Sequence, residues 1–157
     1  MIKDKVKERL NGKFSDWVQK NPRRIYLTID KKDLREVSEI LYKEFKMRLS
    51  TVSGVDNQEN FELIYHFGYD RSGELFNVRV FVFDRDKPEV DSLTPMFRAT
   101  EWVEREIHEM LGINFLGHPD LKHLLLDHDW PSDNYPLRKE CTLTKKPYPL
   151  PEEENND

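Results

Sequence analysis

Four histidines, His108, His118, His123 and His128, are interleaved with Glu104, Glu109, Asp127 and Asp129. Imidazole and carboxylate together make the donor set of a zinc or iron site, so a metal-dependent enzyme is the first chemistry to weigh. The spacing does not support it. His108-Glu109 lacks the second histidine four residues on that a zinc-protease helix needs, because Gly112 stands there. The other three histidines sit among leucine and proline at no familiar ligand spacing. Glu104 and Glu106 flank a helical apolar stripe on opposite sides, too far apart to act as an acid/base pair on one substrate. No GxSxG, GxGxxG or P-loop is present, so neither a nucleophilic serine nor a nucleotide cradle is encoded. On the residues alone, a metalloenzyme built on these four histidines and an adaptor of some larger assembly both stay open.

Composition bounds the rest. A chain of 157 residues makes one domain, with room for an appendage, and can bury a real core. Its charged fraction of 35% suits a heavily solvated protein and is a composition met in heat-adapted sources. Residues 1–50 carry fourteen Lys/Arg against eight Asp/Glu, and residues 51–157 eleven against twenty-two. The acidic C-terminal two-thirds argues against a nucleic-acid footprint there. The basic N-terminal third could face an acidic partner or lipid headgroups, although helices of mixed charge are more often plain solvated surface. The single cysteine, Cys141, forms no disulfide within the chain and cannot hold an iron–sulfur cluster, which needs about four ligands. The reducing cytosol is the expected compartment. No apolar run approaches the roughly 20 residues of a membrane helix, and MIKDKVKERLNGK lacks the apolar centre of a signal peptide. Membrane association is therefore expected only through a partner.

The elements that must position the histidine-rich stretch can be read in order. Val6, Leu10, Phe14, Trp17 and Val18 suggest helix, bent at Asn11-Gly12. Arg24 to Ile29 alternates as a strand, and Asp30 or Asp33 can cap the next helix, whose stripe is Leu34, Val37, Leu41 and Phe45. A weaker strand is expected over Arg48 to Val55. Phe61, Leu63, Tyr65, Phe67 and Tyr69 share one strand face, as do Phe76, Val78, Val80 and Val82. Arg71-Ser72-Gly73 joins these two as an antiparallel hairpin. The fold class is α+β, a small mixed and largely antiparallel sheet with helices on one face.

Thr94-Pro95 reads as a helix start and Gly112 as its stop, giving a signature helix over about 95–111. Met96, Val103, Ile107, Met110 and Leu111 form its apolar face, while Arg98, Trp102, Arg105 and Glu109 point away from it. A tryptophan turned from its own core beside arginines has the composition of an interface anchor, or else it packs on the C-terminal segment. Residues 118–157 hold six of the nine prolines, with Leu121 and Leu124 to Leu126 as the one apolar cluster. The chain thus divides into an α+β domain with its helix (1–112), an extended partner-binding arm (113–150) and a disordered acidic tail (151–157).

Trp102, Glu104-Arg105-Glu106, Gly112, Phe115, Gly117-His118-Pro119, Leu121, Asp127, Trp130, Pro136 and Arg138-Lys139 occur in the order and near the spacing of a known signature. It resembles that of the 30-kDa (C) subunit of respiratory complex I and the related subunit of membrane-bound energy-converting [NiFe] hydrogenases. The resemblance covers roughly residues 20–145. It implies a scaffold on the peripheral arm of a membrane-bound oxidoreductase, on the cytoplasmic side, with no active site and no cofactor of its own. Iron–sulfur clusters, and NiFe, flavin or quinone where present, would lie in partner subunits. The implied partners are the large catalytic subunit (49-kDa type or hydrogenase large-subunit type) and adjacent iron–sulfur subunits. The implied interface comprises Trp102, Glu104, Arg105, Glu106, Glu109, Phe115, His118, Pro119, Leu121, Trp130, Arg138 and Lys139. Arg105, Arg138 and Lys139 would make charge-assisted contacts there, with Trp102 and Leu124 to Leu126 as apolar anchors and His118-Pro119 turning the chain into the arm. The sequence departs from the pattern at Asn134-Tyr135, where the family has Gly-His, at Glu140, where it has Asp, and at Lys122-His123, where it has paired basic residues. Complex I, a hydrogenase and another ferredoxin- or cofactor-linked relative all remain open as the subtype.

Overall fold

A computed structural model describes residues 1–141. The tail expected over 151–157, and the end of the expected arm, lie outside the described residues. Five strands, β1 (Asp16–Asn21), β2 (Arg24–Ile29), β3 (Arg48–Asp56), β4 (Phe61–Tyr69) and β5 (Glu74–Val82), form one sheet in the order β1-β2-β5-β4-β3. All neighbours pair antiparallel except β2 and β5, which run parallel. Alternation decides which face is covered. Phe61, Leu63, Tyr65 and Phe67 of β4 and Phe76, Val78 and Val80 of β5 are buried in one cluster with Val6 of α1 (Ile2–Arg9), Leu10 just after it, Leu34 and Val37 of α2 (Leu34–Glu39), and Leu41. The helices therefore share one sheet face.

Two elements differ from the sequence reading. Trp17 and Val18 belong to a strand, not a helix: the chain turns at Gly12 (φ +82°) and pairs Trp17 with Leu27 and Val18 with Tyr26. Trp17 then meets Phe76 edge-on at 6.2 Å. A five-residue apolar pattern fits either period, and the ladder offered by β2 decides for the strand. The second difference is at the signature helix, α3, which spans Thr100–Leu111. Thr94 starts no helix: its hydroxyl donates to Glu104, and the chain turns through 93–99 with Met96 N–H and Phe97 N–H both donating to Leu93 C=O.

α3 ends at Gly112, left-handed at φ +75°. It crosses β3 at Gly54, where a β-carbon would come within 2.9 Å of Leu111 Cδ1 and 3.2 Å of Ile107 Cγ2, so any larger residue would displace these two side chains. After α3, β7 (Asn114–Leu116) pairs in parallel with β6 (Glu89–Asp91) and buries Phe115. The chain then folds back along α3.

Candidate functional site

Three carboxylates organise the region. Glu104, wholly buried, accepts from Ser92 Oγ (2.5 Å), Leu93 N–H (2.7 Å) and Thr94 Oγ1 (2.9 Å), tying the start of α3 to the segment before it. Burial pushes its pKa up and those donors oppose the shift only in part. Tyr65 is also fully buried; burial, then the charges of Glu104 and Asp91, hold its hydroxyl well above its ordinary range.

Glu109, 3% exposed, lies on the opposite flank of α3. It accepts the backbone N–H of Leu124 (2.9 Å), Leu125 (2.8 Å) and Leu126 (3.3 Å) and approaches His123 Nδ1 at 3.4 Å. Arg105, one turn earlier, donates from Nε to Lys122 C=O (3.0 Å) and from Nη2 to His123 C=O (2.6 Å). A cation takes the carbonyls and an anion the amides, so residues 122–126 are fixed against the helix without secondary structure of their own. For Glu109, burial acts upward on the pKa and the three amides and His123 outweigh it, leaving the carboxyl below its ordinary value.

The two glutamates thus have opposite pH signs. The stability contributed by Glu109 is present above the ordinary glutamate value and lost as pH falls through the lowered folded one; that of Glu104 is full below the ordinary value and lost as pH rises through the raised one. At pH 7, Glu109→Gln is expected to cost about 2 kcal/mol in urea unfolding and Glu104→Gln less than about 1 kcal/mol. The reverse order would contradict this assignment.

The third carboxylate, Asp56 at the end of β3, is buried and accepts from Arg85 Nη1 (2.7 Å) and Nη2 (3.1 Å), Gln58 N–H (2.7 Å) and Lys139 N–H (2.9 Å). The Arg85 guanidinium, first, and the backbone donors hold its pKa far below the usual range against the effect of burial. Arg85 also reaches Glu140 at 2.8 Å. Arg138 donates from Nε to Leu111 C=O (2.7 Å) and lies over Tyr135 (4.4 Å) and Phe61 (5.0 Å). Residues 135–140 are thereby seated on the C-terminus of α3 and the end of the sheet, with Leu137 N–H donating to Met110 C=O.

The twelve residues expected at a partner interface divide. Glu104, Glu109 and Phe115 are buried, and Arg105, His118 and Arg138 make contacts within this chain. His118 bonds Glu101 C=O through Nε2 and accepts Asp120 N–H at Nδ1, which fixes the turn into the arm. Trp102 (67% exposed), Glu106, Pro119 and Lys139 face outward, and Leu121 and Trp130 are half-buried. Trp130 Nε1 donates to Asn134 C=O at 2.7 Å. Asp56, Arg85 and Tyr135 were not anticipated. Leu125 (63%) and Leu137 (60%) add two exposed apolar side chains on backbone that these contacts fix.

His108, His123 and His128 do line one groove, of about 230 Å³, between α3 and the arm. His108 Nδ1 bonds Ile113 C=O at 2.9 Å. Among the described residues no three His, Cys, Asp or Glu side chains converge as metal ligands. On the opposite sheet face, Ser53 Oγ, His66 and Asn77 follow one another at 2.9 and 2.7 Å, with Asn77 anchored to Ile25 C=O. The order is that of a serine relay, but all three lie on regular strands, away from the turn or helix N-terminus whose amides would stabilise an oxyanion.

The family model of the respiratory-chain NADH dehydrogenase 30 Kd subunit matches residues 27–147. The chain is 36% identical over 142 residues to the C subunit of the F(420)H(2) dehydrogenase of Methanosarcina mazei, covering 85% of this chain and 87% of that one. It is 34% identical over 110 residues to the C/D subunit of the NADH-quinone oxidoreductase of Phocaeicola vulgatus, covering 69% of this chain and 21% of that longer protein. The hydrogenase-4 component G of Escherichia coli is 29% identical over 164 aligned residues, covering 97% of this chain and 30% of that one. A solved chain of the membrane-bound sulfane sulfur reductase, an archaeal respiratory membrane complex, shares the fold at TM-score 0.81 and 21% identity, covering 92% of this chain and 86% of that one.

Proposed function

The chain belongs to the respiratory-chain NADH dehydrogenase 30 Kd subunit family, and from that premise we propose that it is a non-catalytic scaffold that clasps the large catalytic subunit of a membrane-bound electron-transfer oxidoreductase. The observation that carries this reading is the surface of α3 and its arm. Trp102, Leu125 and Leu137 stand exposed on backbone that Arg105, Glu109 and Asp56 have already fixed. Pre-ordered apolar side chains bind without the cost of ordering a loop, which is how a few anchors dominate an interface. A relative whose name joins C and D in one longer chain supports another subunit of the same complex as a direct neighbour. In this reading the redox centres, iron–sulfur clusters with flavin, NiFe or quinone according to subtype, belong to partner subunits. The chain reaches the cytoplasmic face of the membrane through them; among the described residues no helix is long and apolar enough to cross it.

The test is co-purification. Trp102→Asp with Leu125→Asp should lower recovery of the large subunit with the tagged chain at least about tenfold, while the isolated variant keeps the unfolding midpoint of the parent. Undiminished recovery would remove this face from the interface.

A further inference from the structure

We propose a second interaction surface at the other end of the sheet, one that takes a carboxylate-rich protein segment. Topology gathers it. β2 and β5 start side by side, with Arg24 opposite Leu75 and Leu75 N–H donating to Arg23 C=O at 2.7 Å. β4 ends and β3 begins there, Gly68 lying opposite both Leu75 and Arg48. Turns 21–24 and 70–73 therefore share one end, whereas Asp56, Phe61 and Arg85 seat the arm at the other.

Arg23, Arg24 and Arg71 on these turns, and Lys20 beside them, are exposed. Lys3 joins them by donating to Pro22 C=O at 3.2 Å. Among the described residues none of these five side chains forms an ion pair with a carboxylate; Lys20 lies only over the Tyr26 ring. Of the acids at this end, Asp70 pairs with Arg48 and Asp4 with the terminal amino group, while Glu74 accepts from the Ser72 hydroxyl and keeps its charge, one against the five cations. Four of the five come from residues 1–50, which carry fourteen Lys/Arg against eight Asp/Glu, and the fold sets them beside Arg71 at one end of a chain of net charge -5, which makes a local field. Guanidinium forks at three of the five positions suit bidentate carboxylates. A bilayer surface would call for apolar side chains beside the cations. The turns Asn-Pro-Arg-Arg and Asp-Arg-Ser-Gly offer no large one. This surface stands independently of the α3 face, and either can fail alone.

The experiment titrates the isolated chain into a fluorescent poly-L-glutamate of about 20 residues by anisotropy, with phosphatidylserine vesicles as a parallel arm. Arg23→Glu/Arg24→Glu/Arg71→Glu should weaken poly-glutamate binding at least about tenfold. Lys31→Glu/Lys32→Glu/Arg35→Glu, an equal change in net charge elsewhere, should weaken it less than about twofold. Equal losses would reduce the effect to net charge and overturn the proposal. Binding to the vesicles and not to the peptide, or to neither, would overturn it as well.

Discussion

Asp56→Ala is expected to lower the stability of the isolated chain by about 2 to 3 kcal/mol, the upper range for losing the charge-assisted hydrogen bonds of a buried carboxylate to a half-buried guanidinium. Its carboxylate holds its own turn at Gln58 to two stretches distant in sequence, the guanidinium of Arg85 and the backbone of Lys139. Arg85 lies over Phe61 at 4.5 Å and would keep only the exposed Glu140 as its anion. The loss should reach the arm, because Lys139 N–H gives up its acceptor. Hydrogen exchange at 137–140 should accelerate more than at the sheet centre. The pH sign follows from the depressed pKa. The contribution is whole above the ordinary aspartate value of 3.8 and is lost as pH falls through the folded one, so the gap between parent and variant should close in acid. A gap unchanged down to the acid transition would mean that the carboxylate charge is not what matters.

Gly112→Ala should cost about 2 to 4 kcal/mol, from two causes that a control separates. A left-handed φ of +75° costs a non-glycine residue about 1 to 2 kcal/mol. An added β-carbon would also stand 2.6 Å from Tyr135 Cζ and 2.7 Å from Arg138 Nη2. The Tyr135 ring and the Arg138 fork would both have to shift from the end of α3. Gly73 has φ +77° and nothing within 4 Å of its added carbon, so Gly73→Ala carries the backbone cost alone. Equal unfolding losses for the two variants would show that the Tyr135–Arg138 seat contributes little.

The contrast between these sites and the sheet explains what a sequence can reveal. Phe61 to Tyr69 and Phe76 to Val82 were legible because alternation and a short turn are local, and their register follows from both. Gly112 was legible as a helix stop, but its second role, admitting Tyr135, depends on a contact that no helix pattern encodes. A helical wheel turned Arg105, Glu109 and Trp102 away from the core, and that direction holds; it could not tell that the returning chain would cover Glu109 and leave Trp102 open. Asp56 escaped notice because its partners, Arg85 and Lys139, are 29 and 83 residues away. The matched signature residues Glu104, Arg105 and Arg138 build the surface from within. In the proposed reading, the exposed residues on that surface are left for a partner.

The most direct test puts a photoreactive benzophenone amino acid at position 102 of the chain within its membrane complex. Illumination is expected to join it covalently to the large catalytic subunit, with the adduct lost when the complex is dissociated beforehand. An efficient adduct to a different subunit, or labelling only within this chain in an intact complex, would contradict the assignment of the α3 face to that partner.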